Sequence, residues 1–134
     1  MNPTTLPAEF RDLLDAQVAI LATMGADGYP QVSALWFLAD DDGTFKLSLN
    51  SARQKTKNLE RDPEVTLFVL DLANPRRYLE VRADAHVARD DDYRFADRIR
   101  AKYGVDLRKV DGPGEHRLVV TLHPVKVNAV NVGG

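Results

Sequence analysis

Seven short strand-like segments constrain the fold of this chain more than any other feature of its sequence. Some are continuous apolar runs, which are typical of buried strands, and others alternate between apolar and polar residues, which is typical of half-buried strands. These patterns predict strands over residues 18–24, 31–38, 44–50, 65–70, 78–87, 117–122 and 125–132. Because short turns join most of these segments, we expect an antiparallel barrel rather than a doubly wound sheet.

Three helices are expected to flank the strands. The first begins near Leu6, the second is a basic helix that Pro63 ends, and the third runs from Asp90 to about Tyr103. The third helix has acidic residues in its first turn and basic residues near its end, which suits the helix dipole. The sequence therefore predicts a mainly β (α+β) fold of six to seven antiparallel strands and three short helices, in a single domain over residues 1–134.

The composition of this 134-residue chain argues against several classes of binding partner and site. Its net charge of −2 gives no reason to expect binding to nucleic acid or to an anionic membrane. The absence of cysteine excludes disulfides and Cys-ligated metal sites and fits a reducing cytosol. No apolar run approaches the ~18 residues of a membrane span, and the first 16 residues do not resemble a signal peptide. The three histidines are scattered, so we expect no metal site. The preceding features together predict a cytoplasmic protein.

The segment NSARQKTKNLERDP, residues 50–63, places four of the 18 Lys and Arg residues in 14 positions. Ser51 and Gln54 match a capping box, so Ser51 is expected to be the N-cap of the basic helix. A helix N-terminus offers free N–H groups and a partial positive charge, and Arg53 and Lys55 lie in or beside its first turn. Two polar residues at the end of the preceding strand would reach the same place, Ser48 and Asn50. Together these residues form a candidate anion site.

The residues alone leave three interpretations of this segment open. The helix is a solvated face, or it binds a small phosphorylated ligand, or it binds nucleic acid. Nucleic acid is the least favoured because the rest of the chain lacks a basic stripe with interleaved aromatic residues. Lys57, four residues from Arg53, shares its helix face, whereas Lys55 does not. Because side chains near a helix start can curl toward the axis, either lysine can join Arg53 at an anion. Trp36 either stacks near a ligand or lies in the core, and the core is favoured because it stands alone in an apolar strand.

The order and the motifs of these elements resemble a known family. The resemblance is carried by VAILATMGADGYPQVSALWF, by the strand that ends in Ser48 and Asn50, by Arg-x-Lys-Thr-x-Asn-Leu-x-Arg-Asp-Pro over 53–63, by VTLFVLD, and by RYLEVRA over 77–83. The chain is similar to the split β-barrel oxidoreductases that bind flavins or deazaflavins and are related to pyridoxamine 5′-phosphate oxidase. Within them it most resembles the branch that uses coenzyme F420. The resemblance covers roughly residues 8 to 130.

The resemblance implies a homodimer of split barrels with a cofactor in each groove between the subunits. It implies that Arg53 and Lys55, rather than Lys57, hold the cofactor phosphate. Further phosphate contacts would come from Ser48, Asn50 and Asn58. The cofactor ring would lie along Gln31, Val32 and Ser33. The other subunit would contribute Tyr78 together with Arg77 or Arg76.

The implied activity is hydride transfer from reduced coenzyme F420 to a small unsaturated or carbonyl-containing organic substrate. Because the cofactor supplies this chemistry, the protein needs only to bind, orient and shield it, and we expect no catalytic side chain. One alternative keeps the fold and uses FMN. Two others are a non-catalytic flavin- or F420-binding protein and, from a different class, an RNA-binding module.

Overall fold

The computed structural model of the chain describes residues 4–134. The first three residues, which the predicted domain of 1–134 includes, lie outside the described residues. The strands are β1 (Ala19–Met24), β2 (Pro30–Leu35), β3 (Leu38–Ala39), β4 (Phe45–Asn50), β5 (Glu64–Leu70), β6 (Arg77–Arg89) and β7 (Arg117–Asn131). The helices are a 3₁₀ helix (Ala8–Asp15), α1 (Gln54–Arg61), α2 (Arg94–Tyr103) and a short 3₁₀ turn (Leu107–Lys109).

All seven strands belong to one antiparallel sheet in the order β2-β1-β5-β6-β7-β4-β3. The long strands β6 and β7 pair with each other along their whole length, and each also pairs with a shorter strand, β5 or β4. Strand twist curls a sheet of this kind, so the seven strands form a half-barrel. The predicted fold class, mainly β with three flanking helices, is confirmed for the subunit.

The prediction of seven strands is right in number, but two of the boundaries are wrong. The predicted strand 31–38 ends at Leu35, because Phe37 turns inward and its backbone bonds to helix α2 instead of a strand. The Tyr103 hydroxyl lies 3.1 Å from the Phe37 N and 3.2 Å from its O, and Lys102 Nζ lies 3.0 Å from that same O. The chain then re-enters the sheet as the short strand β3.

The predicted break at His123-Pro124 is also wrong, because β7 continues through it. Pro124 pairs with Ala83, Lys126 pairs with Arg82, and the register shifts between those two partners. One extra residue on β7 therefore forms a bulge, a common place for a proline, which has no N–H to give to the ladder.

Both α-helices begin later than predicted. The capping-box prediction is wrong: α1 begins at Gln54 after Arg53, because Ser51 is held elsewhere. The Ser51 hydroxyl accepts a hydrogen bond from His116 N at 2.8 Å. Helix α2 begins at Arg94 rather than Asp90. The buried Asp90 carboxylate instead accepts hydrogen bonds from the first two N–H groups beyond Arg94, at 3.1 and 2.9 Å.

The main core lies on one face of the curled sheet. Alternate residues of β1, β4, β5, β6 and β7 point into it, and the N-terminal 3₁₀ helix and α1 close it with Phe10, Leu13 and Leu59. Helix α2 builds a second, smaller core with the segment after it, from Phe95, Ala96, Ile99 and Leu107. Within residues 4–134, neither helix combines the length and apolar composition that a membrane crossing requires.

The opposite face of β2, β1, β5 and β6 carries apolar side chains that stay partly exposed in the single chain. The register places them side by side across the four strands and the end of β7. We call this set the apolar outer face: Ile20, Ala22, Val32, Phe68, Leu70, Tyr78 and Val130. Val32 on the edge strand is 62% exposed, and the rings of Phe68 and Tyr78 lie 5.0 Å apart.

Candidate functional site

A cavity of about 290 Å³ opens where the end of β2, the end of β4 and the start of α1 meet. One part of its wall is polar, and an apolar part comes from the ends of β2 and β4, from α2 and from the segment that follows α2. The polar part comprises Ser48, Asn50, Arg53, Lys55 and Arg117. The apolar part comprises Ala34, Leu35, Trp36, Leu49, Ile99, Val105, Leu107 and Val110. The cavity can therefore take a ligand with an anionic end and an apolar body.

Arg53 and Lys55 bring two positive charges to this cavity without a counter-ion. Neither residue forms an ion pair with a carboxylate of residues 4–134. Lys55 Nζ donates instead to the Ser33 hydroxyl at 3.3 Å. Burial, and then the charge of Arg53, lower the pKa of Lys55. A bound anion would relieve both effects, because it would replace lost hydration and offset the repulsion.

Ser48 adds a second sign that a ligand belongs here. Its hydroxyl is buried, and it is the one buried side-chain polar atom of the described residues that has no hydrogen-bond partner. A buried polar group without a partner costs about 1–3 kcal/mol, so such groups mark sites where a ligand or water completes the bonding.

The start of α1 contributes to the same electrostatic environment. No described side chain caps its first turn, and Arg53 occupies the N-cap position in an extended conformation. Arg53 therefore lies outside the helix. The rule that residues three or four apart share a helix face does not apply to it, and it can approach the same anion as Lys55. Uncapped N–H groups and the positive end of the dipole favour an anion at this position.

The structure brings four of the predicted site residues to one cavity, namely Ser48, Asn50, Arg53 and Lys55. The Asn50 amide nitrogen, however, donates to Asp111 at 2.7 Å and to Glu115 at 3.0 Å. Its amide oxygen accepts from Ala52 N at 2.8 Å. Asn50 is thus bonded to the protein on both sides of its amide.

Asn58 is fully buried, lies outside the set that lines the cavity, and also has its hydrogen bonds filled by the protein. Its amide nitrogen donates to Gln31 at 2.8 Å and to Thr23 at 3.1 Å, and its oxygen accepts from Gln54 at 2.9 Å. Gln31 therefore shares a bond with α1, Ser33 bonds to Lys55, and Val32 between them lies on the apolar outer face.

Arg77 and Tyr78, the remaining predicted residues, lie at the start of β6, outside the set that lines the cavity. The Arg77 guanidinium pairs with Asp71 at 2.5 Å and with Asp12 at 2.8 Å, and it donates to the Glu9 carbonyl oxygen at 2.8 Å. Tyr78 belongs to the apolar outer face. Within one subunit the structure does not bring these two residues to Arg53 and Lys55.

The sequence prediction missed part of the wall. Trp36 is not a core residue: it is 37% exposed, lines the cavity and stacks on Tyr103 with ring centroids 4.6 Å apart. Segment 105–115, which follows α2, also lines the cavity, through Val105, Leu107 and Val110. The sequence did contain a signal for this part of the wall, because three apolar residues fall within six positions of the segment. The described residues contain no cluster of three His, Asp or Glu side chains suited to a metal ion.

Comparison with known proteins identifies the family. A family model described as pyridoxamine 5′-phosphate oxidase matches residues 6–131. The chain belongs to this family. Pyridoxamine 5′-phosphate oxidase-like proteins bind flavin-type cofactors and small-molecule substrates, typically as dimers, and some members are not catalytic. A comparison with proteins of curated function found no match.

Solved structures agree with this assignment. The chain is 30% identical to an F420 reductase, with a TM-score of 0.79 over 92% of this chain and 98% of that one. A conserved hypothetical protein from Mycobacterium tuberculosis is 22% identical, with a TM-score of 0.76 over 97% of this chain and 87% of that one. HupZ of Group A Streptococcus is 18% identical, with a TM-score of 0.72 over 97% of this chain and 98% of that one. The last two likenesses concern the fold alone.

Proposed function

We propose that this protein is an oxidoreductase that uses coenzyme F420. Its reaction would be hydride transfer from the reduced cofactor to a small unsaturated or carbonyl-containing organic substrate. The observation that carries the proposal is the meeting of two unpaired cations, Arg53 and Lys55, with the unpartnered Ser48 hydroxyl in one cavity. This donor set fits a phosphate, which FMN and coenzyme F420 both carry. The 30% identity to an F420 reductase favours the deazaflavin.

The roles of the side chains follow from their chemistry. The planar guanidinium of Arg53 would bind two phosphate oxygens, and Lys55 would add a point charge. The Ser48 hydroxyl would donate a hydrogen bond to the phosphate. Asn50 and Asn58 would act mainly as supports, because the protein already bonds their amide groups. The ring would lie along Gln31, Val32 and Ser33 on the edge strand β2.

The same proposal includes a homodimer with the cofactor between the subunits. Support comes from the apolar outer face, which a second copy would cover, and from the dimers typical of the family. Arg77 and Tyr78, which lie outside the cavity of their own subunit, would then serve the partner's site. The contacts of Arg77 with Asp12 and Asp71 hold its guanidinium at the start of β6.

FMN is the second candidate cofactor, because the anion site that supports the proposal does not distinguish two phosphates on similar tricyclic rings. A protein that carries FMN would be yellow as purified. A protein that quenches the fluorescence of added coenzyme F420, and binds FMN more weakly, would support the deazaflavin. Turnover of reduced coenzyme F420 with a panel of enones and carbonyl compounds separates an enzyme from a cofactor carrier.

The phosphate assignment is tested with Arg53→Ala and with Lys57→Ala as its control. The control removes the same charge from an exposed position on α1. Arg53→Ala should weaken FMN or coenzyme F420 binding about tenfold or more, the effect of losing a hydrogen bond to a charged group. Riboflavin, which has no phosphate, should bind both variants equally. Equal FMN affinities for Arg53→Ala, Lys57→Ala and wild type would reject the assignment.

A further inference from the structure

A buried polar cluster adjoins the cavity and shares two residues, Asn50 and Arg117, with its polar wall. The side chains of Asp111 and Arg117 are each 4% exposed and form an ion pair. The Asp111 carboxylate also accepts hydrogen bonds from the Tyr93 hydroxyl at 2.8 Å and from the Asn50 amide nitrogen at 2.7 Å. We call these four residues the latch, because they join the end of β4, the start of β7 and the residue before α2 to segment 105–115.

The latch holds a segment that supplies one wall of the cavity. Val105, Leu107 and Val110 line that wall, and the segment ends in a tight turn. In this turn Glu115 accepts hydrogen bonds from Gly112 N at 2.7 Å and from the Asn50 amide at 3.0 Å. Val110, next to Asp111, is 59% exposed, so packing alone does little to hold that end of the wall.

Stability alone is a poor reason for such a cluster. A buried ion pair adds little net stability compared with apolar residues of the same size, because its attraction is offset by the loss of hydration. What it does provide is a fixed geometry, since four donor atoms of three residues bond to one carboxylate. The geometry that the latch fixes is the distance between segment 105–115 and the polar wall of the cavity.

We infer that Asp111 is a positioning residue of the ligand cavity, which fastens segment 105–115 as part of the apolar wall and thereby slows the release of the bound ligand. The identity of that ligand rests on the proposed function. The attachment of the segment by Asp111 does not, because it can be measured in the ligand-free protein.

The test compares Asp111→Asn with Asp40→Asn. Asp40 is also a largely buried carboxylate, 17% exposed, that pairs with Lys46 and Arg98, but none of these three residues lines the cavity. Both variants lose one charge and should lose comparable stability. Tyr93→Phe, which removes a single hydroxyl, serves as a milder variant if Asp111→Asn does not fold.

Two measurements need no ligand. Amide hydrogen exchange in segment 105–115 should accelerate in Asp111→Asn, and to a lesser extent in Tyr93→Phe, but not in Asp40→Asn. Trp36, which lines the cavity with this segment, is the one tryptophan of the chain. Its emission should therefore shift to longer wavelength in the same variants as its surroundings become wetter. Unchanged exchange in segment 105–115 would overturn the inference.

The third measurement is the dissociation rate of coenzyme F420, or of FMN if only FMN binds. The rate should rise about tenfold in Asp111→Asn and stay at the wild-type value in Asp40→Asn, given the usual effect of a lost charged hydrogen bond. Faster exchange with an unchanged dissociation rate would also overturn the inference. If the wild type binds neither cofactor, the proposed function fails, while the exchange comparison still decides whether Asp111 fastens the segment.

Discussion

Lys55 carries its charge in surroundings that disfavour it. It lies half-buried beside Arg53, and the described residues offer it a hydroxyl but no carboxylate. Ser48 shows the same pattern, since its hydroxyl is buried and unbonded. Proteins accept such local costs mainly where function requires them, so the two residues together mark the site more clearly than either does alone.

The lowered pKa of Lys55 leads to a pH prediction with two opposite trends. In the window between that lowered pKa and the usual 10.5, the unfolded chain binds more protons than the folded chain. The free energy of unfolding of the ligand-free protein should therefore rise as pH increases through this window. Affinity for a phosphate-bearing cofactor should fall over the same window, because the lysine loses its charge.

Urea unfolding and cofactor titration across alkaline pH measure the two trends. Lys55→Met supplies the control, because it keeps the length of the side chain and removes the titrating group. Both slopes should flatten in that variant. Parallel pH profiles for wild type and Lys55→Met would show that Lys55 causes neither trend.

At the scale of elements, the side chain of Asn58 bonds helix α1 to two strands of the sheet. Asn58 is fully buried, and its amide bonds to Thr23 on β1 and Gln31 on β2. Leu59, next in sequence, packs into the main core. Asn58 therefore helps to hold α1, the helix next to the candidate anion site, in place on the sheet.

Asn58→Ala should lower the free energy of unfolding by about 2–3 kcal/mol, because it leaves Thr23 and Gln31 with unsatisfied polar groups. Urea denaturation of the ligand-free protein measures the effect. Lys57→Ala, one position earlier on the exposed face of α1, should change stability by less than about 0.5 kcal/mol. If the two variants were equally stable, the hydrogen bonds of Asn58 would not contribute to the attachment of the helix.

At the scale of the whole molecule, the apolar outer face is the feature that the single chain leaves unsatisfied. Its side chains spread over four neighbouring strands, with Phe68 near the middle beside Ile20 and Tyr78. A contiguous apolar surface of this kind usually marks a protein interface. In the proposed dimer it would also bring the partner's residues to the cofactor.

Phe68→Glu should convert the proposed dimer to a monomer, because it places an unpaired charge in the interface, and cofactor binding should fall with it. Sedimentation velocity and cofactor titration measure the two effects. His86→Glu, an exposed position farther along β6, should leave both unchanged. A wild-type protein that is monomeric and still binds the cofactor tightly would contradict the proposed dimer.

Several features were predictable from the sequence because they depend on neighbouring residues. The alternation in Phe45-Lys46-Leu47-Ser48-Leu49 needs no partner to be recognised, and the core face of β4 follows from it. Boundaries were less predictable where a distant group decided them. Tyr103 ends β2 at Leu35, and His116 removes Ser51 from its predicted N-cap position.

By itself, the sequence determined the antiparallel strands, the three helices and the basic segment after β4, since local periodicity and turn chemistry encode these features. Only the tertiary structure decided that the Ser48 hydroxyl is buried without a partner, that Asn50 and Asn58 bond to the protein, and that segment 105–115 supplies part of the apolar wall. The physical reason is that these facts depend on which hydrogen bonds and ion pairs form between residues far apart in the chain. Sequence spacing does not contain that information.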